Sequence, residues 1–189
     1  MKRSLWPLVG GLVLVVGLLG WYFFKRGADN IAIDLVAQFP DAIKQQDPTK
    51  FSVVSATLHG DTKQAILVTE DTPECCPATR LKYKLTVPDN AWLRVGLGLK
   101  EEAWTQQGDG VLFRVTVSVG STNDLLLSMH VDPSNNAADR EWKDVFLDMS
   151  EYAGENVELI FLTNSSVQGG GDNRTGDLAL WGAPRIVVK

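Results

Sequence analysis

From Phe51 to Val188 apolar and polar residues trade places with a period close to two, in short runs cut apart by turn residues. That period marks a strand with one buried and one wet face, because successive side chains point to opposite sides of a sheet. Leu81, Tyr83, Leu85 and Val87 fall on one side, with Lys82, Lys84 and Thr86 on the other. Val111, Phe113, Val115, Val117 and Val119 repeat the pattern against Arg114 and Thr116. Runs of this kind predict strands at 51–57, 64–69, 80–87, 92–98, 111–119, 125–131, 144–148, 157–163 and 184–188. Pro88-Asp89-Asn90, Gly108-Asp109-Gly110, Asp132-Pro133-Ser134-Asn135-Asn136 and the stretch 165–176 supply the breaks. Ile31, Ile33 and Leu35 also alternate, so an earlier strand is expected, with the stretch to Gln46 open to helix. Many short strands with little helical signal predict an all-β fold, an antiparallel sandwich rather than a parallel sheet.

Ahead of this region, Leu5 to Phe24 carry no charge. As a helix rising ~1.5 Å per residue, a run of about 20 residues covers a ~30 Å hydrocarbon layer. Lys2 and Arg3 precede it and Lys25 and Arg26 follow, with Trp6 at one rim and Trp21 and Tyr22 at the other, as interfacial anchoring requires. The run is longer than a secretory signal core, and it ends in Gly20-Trp21-Tyr22-Phe23-Phe24 where a peptidase needs small residues, so a retained anchor is expected. Gly10 and Gly17 share a helix face, with Gly20 one turn on, a groove suited to a neighbouring transmembrane helix. The organisation expected is a tail and transmembrane helix at 1–26, a linker at 27–30 and a β-sandwich domain at 31–189. A short basic tail before a first apolar segment favours a cytoplasmic N-terminus. The chain is then a single-pass cell-membrane protein with its C-terminal domain periplasmic or extracellular.

Removing Lys2, Arg3, Lys25 and Arg26 leaves 14 basic against 23 acidic residues, a net charge of −9 beyond the apolar run. Such a surface lacks the cationic stripe that phosphate neutralisation needs, which excludes nucleic acid as a partner. The two cysteines, Cys75 and Cys76, are adjacent, and neighbouring Cα atoms about 3.8 Å apart sit below the usual disulfide span. An intermolecular disulfide, a reactive pair and two idle thiols in a Pro-bounded loop all remain open.

The order Ala91-Trp92-Leu93-Arg94-Val95-Gly96-Leu97-Gly98-Leu99, Gly108-Asp109-Gly110-Val111-Leu112-Phe113-Arg114-Val115, Val131-Asp132-Pro133 with Asp139-Arg140-Glu141-Trp142, Leu147-Asp148-Met149-Ser150-Glu151-Tyr152-Ala153-Gly154 and Asp177-Leu178-Ala179-Leu180-Trp181-Gly182-Ala183-Pro184-Arg185 resembles the galactose-binding-like β-sandwich modules appended to bacterial membrane glycosyltransferases and sulfatases. The resemblance covers about residues 31–189. It implies a jelly-roll sandwich in an extracytoplasmic position. Members of that superfamily bind sugars, bind proteins or merely pack, so it carries fold further than function.

Sugar recognition needs an exposed ring face beside groups that hydrogen-bond hydroxyls. Trp104, Trp142 and Tyr152 are the aromatic candidates and Asp139 and Arg140 the polar ones, against the alternative that these rings brace the sandwich. No cofactor is expected. The weak alternative is a structural calcium ion on Asp109, Asp132, Asp172 or Asp177, which show no fixed ligand spacing. His59 and His130 stand near no nucleophile signature, so an enzyme is not expected. The expected function is a non-enzymatic, single-pass accessory subunit whose sandwich docks on a larger integral membrane protein complex, for example an energy-transducing, transport or glycan-synthesis one. The alternative is a membrane-tethered carbohydrate-binding module for envelope glycans.

Overall fold

A half-buried alternating run is stable only when its backbone pairs with a neighbour and its apolar side meets another layer. Among the described residues eleven strands do this: β1 (Asn30–Asp34), β2 (Ile43–Gln45), β3 (Phe51–Leu58), β4 (Asp61–Thr69), β5 (Thr79–Thr86), β6 (Ala91–Leu99), β7 (Val111–Val119), β8 (Thr122–Val131), β9 (Lys143–Asp148), β10 (Asn156–Asn164) and β11 (Leu178–Val188). The structure, a computed structural model, describes residues 30–45, 47–69, 79–164 and 175–189. The apolar run with Trp6, Gly10, Gly17, Gly20, Trp21 and Tyr22, the Cys75-Cys76 pair and Asp172 lie outside the described residues. Among those described, no helix is long and apolar enough to cross a membrane.

The strands form two antiparallel sheets. The first runs β3-β4-β11-β6-β9, with β1 also paired to β11; the second runs β2-β5-β10-β7-β8. β10 sits in the middle of its sheet, with Phe161 opposite Leu81 on one side and Val115 on the other. Between the sheets, Leu93, Val95, Leu97, Ile66 and Val68 from the first meet Leu81, Tyr83, Phe113, Val115, Leu159 and Phe161 from the second. Each fully buried side chain of this kind contributes roughly 1.5–3 kcal/mol. Trp181 of β11, 1% exposed, is the hub: its ring meets Phe113 and Phe161 edge-on, each at 4.9 Å, and Phe161 meets Tyr83 at 5.9 Å. Such edge-to-face pairs add about 0.5–1.5 kcal/mol beyond the area they bury.

Several segments differ from their sequence expectation, and β4 and β8 each begin three residues before the expected start. β11 starts six residues before the expected Pro184, at Leu178, because Ala179 to Gly182 are buried on both faces and show no alternation. β1 stops at Asp34, whose carboxylate accepts from the backbone N–H of Val36 and Ala37 and turns Leu35 into the core. The stretch left open to helix holds only a short 3₁₀ turn, Phe39–Asp41, and β2.

Candidate functional site

The outer face of the first sheet is built on residues whose parity turns them away from the core. Along β6 and β11 these include Gly96, Gly98 and Gly182, and the register sets Gly182 beside Gly96. Lacking a Cβ, they leave a floor at backbone level, the use of strand glycines where another group approaches closely. Trp142 lies on that floor: a Cβ on Gly182 would stand 2.6 Å from Trp142 Cζ3, and one on Gly96 3.1 Å from Cε3. Leu58, at the tip of the β3–β4 hairpin, occupies the equivalent space over Gly98. The Trp142 indole N–H donates to the Asp61 carbonyl at 2.9 Å. Ala56, Leu58, Ala65, Leu67 and Leu180 pack with the ring as a second apolar cluster outside the main core.

Beside the indole is a cleft of about 350 Å³, with Gly96 and Gly182 at its base and Thr62, Lys63, Gln64, Arg94, Asp144 and Arg185 around it. The Lys63 ammonium bridges the carboxylates of Asp144 and Asp61 and lies 5.1 Å from the centre of the Trp142 ring. The Arg94 guanidinium stacks 4.9 Å over the ring of Phe146, which is 46% exposed. Further along the same face Lys189 lies 3.8 Å over Trp92.

Arg185 reaches the cleft through a break in register. Gly182 pairs with Gly96, whereas Arg185 pairs with Arg94, so β11 carries one extra residue between them. Ala183, in the break, adopts φ +42°, a left-handed conformation that costs an L-residue about 1–3 kcal/mol. In an unbroken ladder Pro184 would oppose Arg94 and Arg185 would point into the core, since a one-residue slip exchanges the faces. Arg185 Nη1 donates to the Ala183 carbonyl at 3.3 Å, which ties the guanidinium to the bulge.

The candidates drawn from sequence are dispersed. Trp142 is 8% exposed and its face is taken by the glycine floor. Tyr152 is buried on the β9–β10 connection, with its hydroxyl donating to Asp124 at 3.2 Å. Burial, with the Glu151 and Asp124 carboxylates nearby, pushes that phenol above its ordinary range. Trp104 is half-buried and donates its indole N–H to the Leu99 carbonyl at 3.0 Å. Asp139 accepts from the Asp132 backbone N–H at 2.9 Å, and Arg140 donates to the Pro133 carbonyl at 2.8 Å, so both brace the β8–β9 connection. Asp132 accepts from Asn135, Asp177 is buried, and the Asp109 carbonyl faces His130 Nε2 at 2.8 Å. Among the described residues no three His, Cys, Asp or Glu side chains converge to hold a metal ion. Lys63, Arg94, Asp144, Phe146 and Arg185 were not singled out as binding groups from sequence; the signal that marks them is the set of glycines inside otherwise apolar strands.

The outer face of the second sheet is different in kind. β5 presents Arg80, Lys82 and Lys84, β10 presents Glu158, Ile160 and Leu162, and β7 presents Arg114, Thr116 and Ser118. Glu158 bridges Lys82 at 3.3 Å and Lys84 at 3.7 Å. Ile43 and Leu125, at the two edges, are 41% and 59% exposed. Two hollows, of about 720 and 290 Å³, lie along this face, and no aromatic residue lines either.

No family model matches the chain. It is 38% identical over 104 residues to an uncharacterized protein of Archaeoglobus fulgidus, a match that takes in 54% of this chain and 25% of that protein, so the chain spans a quarter of its relative's length. Among solved structures, TmCBM61 in complex with β-1,4-galactotriose is 13% identical with a TM-score of 0.50, covering 80% of this chain and 90% of that one. The CBM22-2 xylan-binding domain of Paenibacillus barcinonensis Xyn10C (9% identical, TM-score 0.47, 83% and 98% covered) and a family 35 carbohydrate-binding module of Clostridium thermocellum (11%, 0.43, 80% and 95%) are also similar. The first of these likenesses carries the fold and no more: the chain is an all-β, two-sheet antiparallel sandwich resembling carbohydrate-binding modules.

Proposed function

We propose that this chain is a non-catalytic carbohydrate-binding module, and that sugar binds in the glycine-floored cleft on the outer face of the first sheet. The observation that carries the reading is the cleft itself. Guanidinium, ammonium, amide and carboxylate groups gather in it, and the exposed Phe146 ring lies next to it, under the Arg94 guanidinium. A sugar presents C–H faces that pack on a ring, and hydroxyls that both donate and accept, which this mixture answers. A volume of about 350 Å³ falls within the range of small-ligand sites. The shared fold with TmCBM61, solved with β-1,4-galactotriose, supports the same reading. In this proposal the jelly-roll domain is held at the extracytoplasmic surface by the Leu5–Phe24 anchor and meets envelope glycans there. A glycan array probed with the full chain in mild detergent tests it: Phe146→Ala and Asp144→Asn are expected to abolish the signal while the unfolding midpoint is held. Absence of any bound glycan, or binding indifferent to both substitutions, refutes it.

A second reading, an accessory subunit docked on a membrane complex, is favoured by the second sheet's outer face. Exposed Ile43 and Leu125 flank the cations Arg80, Lys82 and Arg114 on a domain that is otherwise acidic. Stoichiometric co-purification of a membrane complex that Leu125→Asp releases is the result this reading requires.

A further inference from the structure

We propose that the outer face of the second sheet docks an acidic polypeptide segment, whose carboxylates are held by Arg80 and Arg114 on either side of an aliphatic side chain packed on Leu162; this rests on the accessory-subunit reading above and not on the carbohydrate-binding one. Strand pairing sets Arg80, Leu162 and Arg114 in one row across β5, β10 and β7. The two arginines are then two strand spacings apart, roughly 9–10 Å. Along the outward positions of these three strands four cations, Arg80, Lys82, Lys84 and Arg114, share one carboxylate, Glu158. The neighbouring row runs Ile43, Lys82, Ile160, Thr116 and Leu125, aliphatic at both ends and in the middle.

Glu158 bridges Lys82 and Lys84, so the lysines of this face are paired. Among the described residues neither the Arg80 nor the Arg114 guanidinium meets a carboxylate. A face that had only to stay wet would be served by paired lysines throughout. The unpaired positions hold arginine instead, whose weakly hydrated planar fork takes a carboxylate bidentately and which is enriched at protein interfaces where lysine is depleted. On a domain of net charge −9 this excess of cations is a local reversal of sign, and such a patch steers an acidic partner to one face. The two hollows share Ser118 and Glu158, which makes them one trough along β10, long enough for an extended segment. Among the described residues no ring lines either hollow, so the surface on which a sugar packs is missing, whereas exposed Ile43 and Leu125 answer the aliphatic side chains of a peptide.

The test uses the full chain in uncharged detergent, with a displayed library of short random peptides as the probe. Peptides enriched on the parent are expected to carry Asp or Glu on both sides of Leu, Ile or Val, and to bind Arg80→Glu and Arg114→Glu at least about tenfold more weakly, as the loss of charge-assisted bonds requires. The double variant is expected to enrich peptides rich in Lys and Arg instead, and Lys100→Glu, beside the first sheet, to leave the acidic preference unchanged. Unfolding midpoints are recorded for every variant, and Arg80→Gln and Arg114→Gln remove the charge alone if the Glu variants do not fold. Enrichment of neutral or basic peptides on the parent, no enrichment, or affinities indifferent to the arginine substitutions overturns the inference. Capture of phosphatidylglycerol nanodiscs in place of acidic peptides, lost in Arg80→Glu, overturns it also, because the face then reads lipid. A co-purified membrane complex that Leu125→Asp releases and both arginine variants retain overturns this inference and leaves the accessory-subunit reading standing. The absence of any such complex, together with no enriched peptide, overturns both.

Discussion

On the first sheet the outward positions of β6 and β11 carry Gly96, Gly98 and Gly182, and an indole and a hairpin tip fill the space they leave. On the second sheet the equivalent positions of β5, β10 and β7 carry long cations and branched aliphatics, which cover the backbone themselves, and the hollows there are lined by no aromatic residue. Both faces belong to strands with the same inward pattern, so the core does not dictate the difference. Removing Cβ atoms from a sheet face gives up side-chain packing and backbone entropy. The loss is offset only where something else is brought close, and here that is Trp142 together with the cleft beside it. The built face and the plain face should therefore respond to substitution very differently.

The largest contrast is expected at Trp142. Trp142→Ala removes the ring over the glycine floor and should destabilise the full chain by about 3–5 kcal/mol in denaturant titrations. Thr116→Ala, on the outer face of the second sheet, should stay within about 0.5 kcal/mol of the parent. Equal effects would erase the distinction between the faces. Next comes Gly182→Ala, which adds a Cβ 2.6 Å from the indole. Because a packed ring yields only by tilting, a loss of about 1–3 kcal/mol is expected. A stabilised variant would mean that the ring has room to move.

These contrasts also explain what could be read from the chain alone. β7 coincides with the expected 111–119, and β5, β6 and β10 lie within a residue or two of expectation, because one wet and one buried face write themselves as alternation. β11 was legible only in its second half, since its first half is buried on both sides and alternation then carries no signal. The cleft was not legible. Gly96 and Gly182 become neighbours through strand pairing across 86 positions of sequence, and Arg185 changes face through a bulge that no period reveals. Trp142 and Tyr152 were drawn as sugar platforms because they stand near loops, yet loop position says nothing of which way a ring turns; one lies on glycines and the other ends on Asp124.

The smallest expected effect lies at the edge of the built face, where Asp148 ends β9 and its carboxylate accepts the Ser150 backbone N–H at 2.9 Å. That bond, then the Ser150 side chain and the Lys189 charge, hold the Asp148 carboxyl below its ordinary value. A depressed carboxyl adds stability that is present above its unfolded pKa, about 3.9, and is lost as pH falls through the lower folded value. Asp148→Asn should accordingly lower the midpoint of thermal unfolding slightly at neutral pH, and the gap from the parent should close as pH is taken down through 3.9 and below. A gap that stays constant with pH would assign the effect to packing at the edge strand and remove the electrostatic anchor. Thr116→Asn, a change of similar size on the second sheet at a position that does not titrate, is expected to show no pH-dependent gap at all, and so separates a property of this turn from a general response of the sandwich to acid.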